Sequence, residues 1–139
     1  MTDTTLMSGC RWTDPPVDAN GNSAKDWSIP KRLGFDVMRI FWLTSLQEDQ
    51  WRGRHAHRES ILGTFVVNGR CRLTLDNARE KQVVELRENG PGLIISPWIW
   101  HDLYDFSSNA VVLVLASTLY TEAEYIRDYE TFVREATAR

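Results

Sequence analysis

The sequence predicts a small all-β domain, of the sandwich or barrel type, that ends in a single α-helix. Short segments dense in β-branched and aromatic residues recur along the chain, with turn signals between them. No helical segments separate these strands, which excludes a doubly wound α/β fold. The chain has 139 residues and is 42% hydrophobic, which is enough for one core and too little for two. We therefore expect residues 1–139 to form one domain.

The strands follow an N-terminal arm. Residues 1–33 are rich in Asp, Asn, Pro, Gly and Ser and lack periodicity, so we expect a loop-rich arm with one short strand. Asn68-Gly69 is the strongest hairpin signal in the chain, and it predicts that segment 62–67 pairs with a return strand at 70–76. Further strands are predicted at residues 35–44, 52–58, 82–86, 93–96, 98–104 and 110–116.

Only the C-terminal segment has helical periodicity. Residues 121–124, Thr-Glu-Ala-Glu, have the pattern of a capping box, and apolar residues recur at helical spacing after it. We predict a helix over residues 121–137 that packs one face on the sheet or on a partner. Its aromatic residues are expected to serve in packing: Tyr125, Tyr129 and Phe132.

The composition argues against several classes of function. A formal net charge of −3 gives no basic footprint for nucleic acid or an anionic membrane surface. No apolar run approaches the ~20 residues that span a bilayer, and the N-terminus lacks the features of a signal peptide, so we expect a cytoplasmic protein. Cys10 and Cys71 show no C-x-x-C spacing, which argues against a disulfide framework or a zinc knuckle.

Two of the three histidines, His55 and His57, lie in the segment 52–58. In a strand, the alternation of side chains places both on one face. Imidazole titrates near neutral pH, so such a pair can move protons or hold a metal, although it can also be a solvated polar face. His101 lies on a later strand, and inward residues of non-adjacent strands converge in the mouth of a small barrel. The pattern therefore indicates a site built from three histidines.

The H-x-H spacing, Gly69 and the later segment 92–101 resemble the two sequence motifs of the cupin superfamily, a double-stranded jelly roll. Many cupins hold a divalent metal with histidines and a glutamate, but Ile61 stands where the resemblance places that carboxylate. Glu59 shares the strand parity of the histidines, so a metal-dependent cupin enzyme stays an alternative. We expect no metal.

A more specific resemblance is carried by the segments 52–58, 97–107, 114–117 and 120–129. They are similar to the sugar-nucleotide 3,4-ketoisomerases, small cupins that act on dTDP-4-keto-6-deoxyglucose on the way to dTDP-linked 3-amino sugars. The resemblance runs from about Phe35 to the C-terminus. It implies a homodimer that uses neither metal nor cofactor. It also implies a reaction in which a base takes the C3 proton, acidified by the C4 carbonyl, and an enediol is reprotonated at C4.

The resemblance also implies roles for individual residues. His57 takes the base role and His55 a supporting acid or shuttle role, while His101 is a further pocket residue. Arg39 and Arg52 match family arginines and are expected to bind the diphosphate, because guanidinium forms bidentate bonds to phosphate oxygens.

The sequence departs from the family pattern around these residues. The usual Arg-Val-Tyr-Tyr strand reads Arg-Ile-Phe-Trp at residues 39–42, so a phenolic hydroxyl is absent, and Leu62 replaces a glutamine. Tyr104 is a candidate to supply the missing hydroxyl, and Trp42 to stack on the base or sugar. The N-terminal arm also lacks the family's arginine. These losses leave a non-catalytic nucleotide-sugar-binding protein as a second alternative.

Overall fold

The computed structural model describes residues 5–15, 17–19, 24–26 and 33–139. The N-terminal half contains these strands: β1 (Cys10–Thr13), β2 (Val17–Ala19), β3 (Ala24–Asp26), β4 (Arg39–Leu43), β5 (Arg52–His57) and β6 (Leu62–Asn68). The C-terminal half continues with β7 (Arg70–Asp76), β8 (Lys81–Arg87), β9 (Gly92–Ile95), β10 (Trp100–Tyr104), β11 (Val111–Ala116) and β12 (Tyr125–Ile126). A 3₁₀ turn covers Glu122–Glu124, and helix α1 covers Tyr129–Thr137.

Two five-stranded antiparallel sheets face each other, with strand orders β1-β9-β6-β11-β4 and β12-β5-β10-β7-β8. Alternate residues of both sheets point inward, as expected for strands with one buried face. They form a continuous apolar core whose fully buried members include Leu73, Leu75, Leu93, Phe106 and Val112. This architecture confirms the all-β prediction. No helix in the described part of the chain is long and apolar enough to cross a membrane.

The predicted hairpin at Asn68-Gly69 is wrong, because β6 and β7 belong to different sheets. Gly69 has φ +79° and marks the point where the chain passes from one sheet to the other. The Gly69 amide donates to Oε1 of Glu88 at 2.6 Å, and the Gly69 carbonyl oxygen accepts from the Glu88 amide at 2.9 Å. These long-range bonds replace the cross-turn pairing that the dipeptide favours.

The helix prediction was right in type and wrong in its start. Helix α1 begins at Tyr129, and the Asp128 side chain caps it by accepting from the Thr131 amide at 2.9 Å. Thr121 makes no side-chain cap. Tyr125 and Ile126 instead pair with β5 opposite His57 and Ala56, and this pairing buries Ile126 to 2% exposure. Strand pairing has therefore overridden the local helical pattern.

The N-terminal arm contains more strand than the single short segment expected. Among its described residues, β1 pairs with β9 and so joins a main sheet, while β2 and β3 pair with each other. The composition of the arm concealed β1, whose four residues are too few to show periodicity. The missing family arginine of the arm falls on a segment that lies largely outside the described residues.

Candidate active site

A cavity of about 300 Å³ lies between the two sheets, within the size range of small-molecule sites. One wall comes from β4, β6 and β11, and the other from β5, β10 and β12. The polar lining residues are Arg39, Arg52, His55, Thr64, His101, Tyr125 and Arg127. Leu62 of β6 also lines the cavity. An apolar side chain therefore stands at the position where the family pattern has a glutamine.

A bulge in β5 sets the orientation of the histidines. His101 of β10 lies opposite His55, whereas the next residue, Asp102, lies opposite Gly53, so β5 carries one extra residue. Gly53 and Arg54 both have positive φ, +81° and +59°. A Cβ on Gly53 would lie 2.9 Å from the backbone oxygen of His101. Glycine is therefore required for this close approach of the two histidine strands.

The three imidazoles form one cluster. The ring centroid of His55 lies 4.8 Å from that of His57 and 4.8 Å from that of His101, and the His57 and His101 rings are 5.8 Å apart. His57 and His101 are each 3% exposed, and His55 and His101 line the cavity. The structure thus brings together the histidines that the spacing predicted to converge.

Each imidazole is held through its Nδ1 atom. Nδ1 of His55 lies 2.9 Å from the Gly53 carbonyl oxygen and that of His101 lies 3.2 Å from the Ile99 carbonyl oxygen. Nδ1 of His57 lies 2.8 Å from Oε1 of Glu124. All three partners are acceptors, so each Nδ1 carries the hydrogen and donates it. The Nε2 lone pairs are left free to accept a proton or bind a metal.

Glu124 was missed in the sequence because it lay inside the predicted helix. Its carboxylate is buried, at 5% exposure. Besides His57, it accepts from the backbone amides of Glu59 and Ser60 at 3.0 and 2.9 Å and from Ser60 Oγ at 3.0 Å. Burial alone raises the pKa of Glu124, but these hydrogen bonds outweigh burial and leave it below its ordinary value. Glu124 is therefore an ionised partner of His57.

Burial lowers the pKa of all three histidines. The pKa of His55 falls to about 4, first through burial and then through the neighbouring His57. The pKa of His101 lies well below 6.5, again mainly through burial. Burial also lowers the pKa of His57, although Glu124 opposes this effect. The cluster is therefore neutral near pH 7 and able to accept protons.

Positive charge also lines the cavity, with Arg39 on the β4 wall and Arg52 on β5, the strand that carries His55. Among the described residues, no carboxylate forms an ion pair with Arg39 or Arg52. The Nε atom of Arg39 is buried without a hydrogen-bond partner. Arg127 is already bound by Glu122, with Nε and Nη2 donating at 2.6 and 3.0 Å. Two guanidinium groups thus lack an anionic partner, which suits a diphosphate.

Two predicted binding residues lie elsewhere. Trp42 is 64% exposed on the outer face of β4, because Arg39 and Phe41 occupy the alternate positions that face the cavity. Tyr104 stacks on Trp51 with 4.3 Å between ring centroids and does not line the cavity. Stacking of Trp42 on a ligand in this cavity and supply of the missing hydroxyl by Tyr104 are therefore both wrong.

A phenol from a different segment lines the cavity instead. Tyr125 was expected to be a helical packing residue, but β12 places it opposite His57, with 4.5 Å between the ring centroids. Arg127, two residues later, lines the same wall. The signal that could have found both residues is the family-like segment 120–129, which contains them.

The histidine cluster is also the candidate metal centre. Within the described ranges, the donor atoms of His55, His57 and His101 lie within 4.8 Å of one another. Such a set suits a divalent first-row ion. Glu59, the carboxylate considered in the sequence as a further ligand, is exposed and outside this group. Glu124 serves as the hydrogen-bond partner of His57 rather than as a fourth ligand.

Comparison with known proteins identifies the family. The sequence model of the FdtA family, described as WxcM-like, C-terminal, matches residues 16–137. The chain belongs to the FdtA family. The matched region contains the complete cavity lining, including Tyr125 and Arg127 from the segment that was predicted to be helical.

Relatives of this FdtA-family chain include 3,4-ketoisomerases. It is 36% identical over 102 residues, 73% of each chain, to a TDP-4-oxo-6-deoxy-α-D-glucose-3,4-oxoisomerase from Aneurinibacillus thermoaerophilus. A variant of the 3,4-ketoisomerase QdtA from Thermoanaerobacterium thermosaccharolyticum, solved with TDP-4-keto-6-deoxyglucose, superposes with a TM-score of 0.89 at 27% identity. That match covers 96% of this chain and 98% of QdtA.

The structure of WlaRA, a TDP-fucose-3,4-ketoisomerase from Campylobacter jejuni, superposes with a TM-score of 0.85 at 30% identity. The superposition covers 94% of this chain and 96% of WlaRA. These relationships confirm the cupin jelly roll and the ketoisomerase resemblance of this FdtA-family protein.

Proposed function

We propose that the protein is a 3,4-ketoisomerase of a TDP-linked 4-keto-6-deoxyhexose. The observation that carries the proposal is a cluster of three neutral imidazoles, two of which line the cavity, together with two cavity arginines that lack anionic partners. The imidazoles suit proton transfer at the sugar, and the arginines suit the diphosphate. Support comes from the A. thermoaerophilus relative, named an oxoisomerase, and from QdtA, solved with TDP-4-keto-6-deoxyglucose.

In this proposal His57 is the base. Its free Nε2 takes the C3 proton, while Glu124 accepts the Nδ1 hydrogen and stabilises the imidazolium that forms. The imidazolium then returns the proton to C4, and the carbonyl moves to C3. His55 supports this transfer at the cavity surface. His101 fills the floor of the pocket, and its low pKa keeps a second positive charge out of the cluster.

Conversion of TDP-4-keto-6-deoxyglucose tests the proposal, followed by the shift of the ¹³C carbonyl signal from C4 to C3. We expect the wild type to form the 3-keto isomer and His57→Asn to lose turnover by about 10²-fold or more, the scale of general-base catalysis. His57→Asn should still bind TDP in calorimetry. Arg52→Gln should weaken TDP binding, whereas its matched control Arg87→Gln should not, since Arg87 is exposed and paired with Glu85.

A non-catalytic binding protein would bind TDP with the same arginine dependence. It would form no 3-keto isomer from any TDP-linked ketosugar. The wild-type assay therefore separates binding from catalysis.

We also propose that the reaction needs no metal. The cluster has three nitrogen donors, and its nearest buried carboxylate is engaged by four hydrogen bonds. Turnover should survive dialysis against EDTA, and metal analysis of active protein should find no stoichiometric iron, manganese, nickel or zinc. Loss of turnover on chelation, with recovery on metal addition, would instead favour a metal-dependent cupin enzyme.

We further propose that the protein is a homodimer that buries the outer face of β4. This strand is at the edge of its sheet. Three apolar side chains are exposed there: Ile40 and Trp42 in the strand, at 53% and 64% exposure, and Met38 just before it, at 54%. Such a patch is typical of an interaction surface. Sedimentation equilibrium should give the mass of two chains, and Ile40→Asp should give one. The control Val83→Asp, on an exposed position of β8, should remain a dimer.

A further inference from the structure

A tyrosine hydroxyl lies at the cavity, and it does not come from β4. The residues of that strand that line the cavity, Arg39, Phe41 and Leu43, carry no hydroxyl group. Movement of a carbonyl from C4 to C3 requires two proton transfers. One proton moves from C3 to C4, and a second leaves the C3 hydroxyl while the C4 oxygen gains one. An imidazole base accounts for the first, so the second needs a separate donor and acceptor near the sugar oxygens.

Tyr125 has the position for this second transfer. Its ring lines the cavity, and its centroid lies 4.8 Å from that of His55 and 4.5 Å from that of His57. A sugar ring that reaches the histidines therefore also reaches the phenol. The pairing of β12 with β5 places Tyr125 directly opposite His57.

The hydrogen bonding of Tyr125 leaves its hydrogen available. Arg39 donates from Nη2 to the phenol oxygen at 2.8 Å. Among the described residues, no acceptor lies within hydrogen-bond distance of the phenol hydrogen, so the hydroxyl can donate into the cavity. The Arg39 guanidinium would also stabilise negative charge that develops on the phenol oxygen when it gives up its proton.

The other three tyrosines do not offer such a group. All of them lie within the described residues. Tyr104 stacks on Trp51 outside the cavity. Tyr120 donates to Glu122 at 2.6 Å, and Tyr129 donates to Asp76 at 2.5 Å. Tyr125 is therefore the tyrosine that lines the cavity beside the histidine cluster and whose hydroxyl hydrogen has no acceptor among the described residues.

We propose that Tyr125 is the catalytic hydroxyl that carries the oxygen-bound proton between the C4 and C3 oxygens. The step rests on the proposed ketoisomerase function. As the base removes the C3 proton, the C3–H electrons form the C3=C4 double bond and the C4 oxygen takes the phenol proton. When the enediol collapses, the electrons of the C3–O–H group form the C3 carbonyl and Tyr125 recovers the hydroxyl proton. The base returns its own proton to C4, so neither residue changes and no co-reactant is needed.

The test compares two Tyr→Phe variants. Tyr125→Phe should lower kcat by about 10²-fold or more, with KM and TDP affinity changed less than threefold, because the phenol acts in proton transfer and not in diphosphate binding. The matched control Tyr104→Phe removes a phenol outside the cavity and should keep wild-type kcat. Tyr125→Phe with Phe41→Tyr places a phenol at the other cavity position near Arg39, and should recover at least tenfold of the lost kcat.

The outcomes distinguish failure of the proposed function from failure of the role of Tyr125. A wild type with no turnover refutes the proposed function. An active wild type with an equally active Tyr125→Phe variant refutes the role of Tyr125. The same role is overturned if Tyr125→Phe loses TDP affinity and melting temperature along with kcat, which indicates a structural residue. A double variant no faster than Tyr125→Phe also overturns it.

Discussion

Replacement of Glu124 by glutamine should disable His57 without changing its position. The Oε2 atom of Glu124 accepts from two backbone amides, those of Glu59 and Ser60. A glutamine side chain must place its oxygen there, because its NH₂ group would face two donors. The NH₂ group then faces Nδ1 of His57 at the position of Oε1. His57 can pair with a donor only by moving its own hydrogen to Nε2, which removes the lone pair needed for catalysis.

The expected changes in kcat and in the free energy of unfolding follow from the loss of the base and of part of the hydrogen-bond network. General-base catalysis contributes about 10²–10⁴-fold to a rate, so kcat for ketoisomerisation should fall by that range. The carboxylate also makes four hydrogen bonds in a buried site, and a hydrogen bond to a charged group contributes about 1.5–3 kcal/mol. Glutamine keeps part of this network, so the free energy of unfolding should fall by about 2–4 kcal/mol.

The assay combines kinetics with a direct view of the tautomer. Nitrogen-15 NMR of the imidazoles should show the hydrogen of His57 on Nδ1 in the wild type and on Nε2 in Glu124→Gln. The control Glu135→Gln removes a surface carboxylate that pairs with Arg58, and it should leave kcat and the tautomer unchanged. A Glu124→Gln variant within twofold of wild-type kcat, with the hydrogen still on Nδ1, would refute the proposed pairing.

Two further predictions concern stability. Gly53→Ala should lower the free energy of unfolding by about 2 kcal/mol or more in urea denaturation, since φ is +81° and a Cβ would lie 2.9 Å from the His101 backbone oxygen; an unchanged midpoint would contradict this. The folded pKa of His55, about 4, lies below the ordinary 6.5, so the unfolded chain binds more protons between these values. Stability should therefore decrease as pH falls from 6.5 to 4, by up to about 1.4 kcal/mol per pH unit from His55, and His55→Asn should flatten the slope.

The sequence predicted the fold class and the histidine cluster because both depend on periodicity. Alternation identified most strands, and the H-x-H spacing placed His55 and His57 on one face. The convergence of His101 with them followed from barrel geometry. None of these inferences required the pairing order of the strands.

The segment around Glu124 and Tyr125 was mispredicted because its structure depends on a distant partner. Thr-Glu-Ala-Glu at 121–124 satisfies a local helix rule, but β5 offers backbone pairing and a buried position for Ile126. Local pattern contains no information about such a partner. The same limit explains Asn68-Gly69, where the dipeptide predicted a turn correctly and the pairing of its flanking strands wrongly.

The alternation of side chains along β4 explains why Trp42 does not line the cavity. Arg39 and Trp42 are three residues apart, so alternation places them on opposite faces of β4. Once Arg39 faces the cavity, Trp42 must face outward, where it is 64% exposed. The prediction that both contact one ligand was thus inconsistent with the strand that carries them.

The central claim is that the histidine cluster moves a proton between C3 and C4 of a TDP-linked ketosugar. The most direct test incubates the protein with TDP-4-keto-6-deoxyglucose in deuterated water and follows the C3 proton by NMR. We predict that the C3 signal is lost as the 3-keto isomer forms with the wild type, and that His57→Asn slows both processes together. Persistence of the C3 proton with the folded, TDP-binding wild type, and no 3-keto isomer, would contradict the claim.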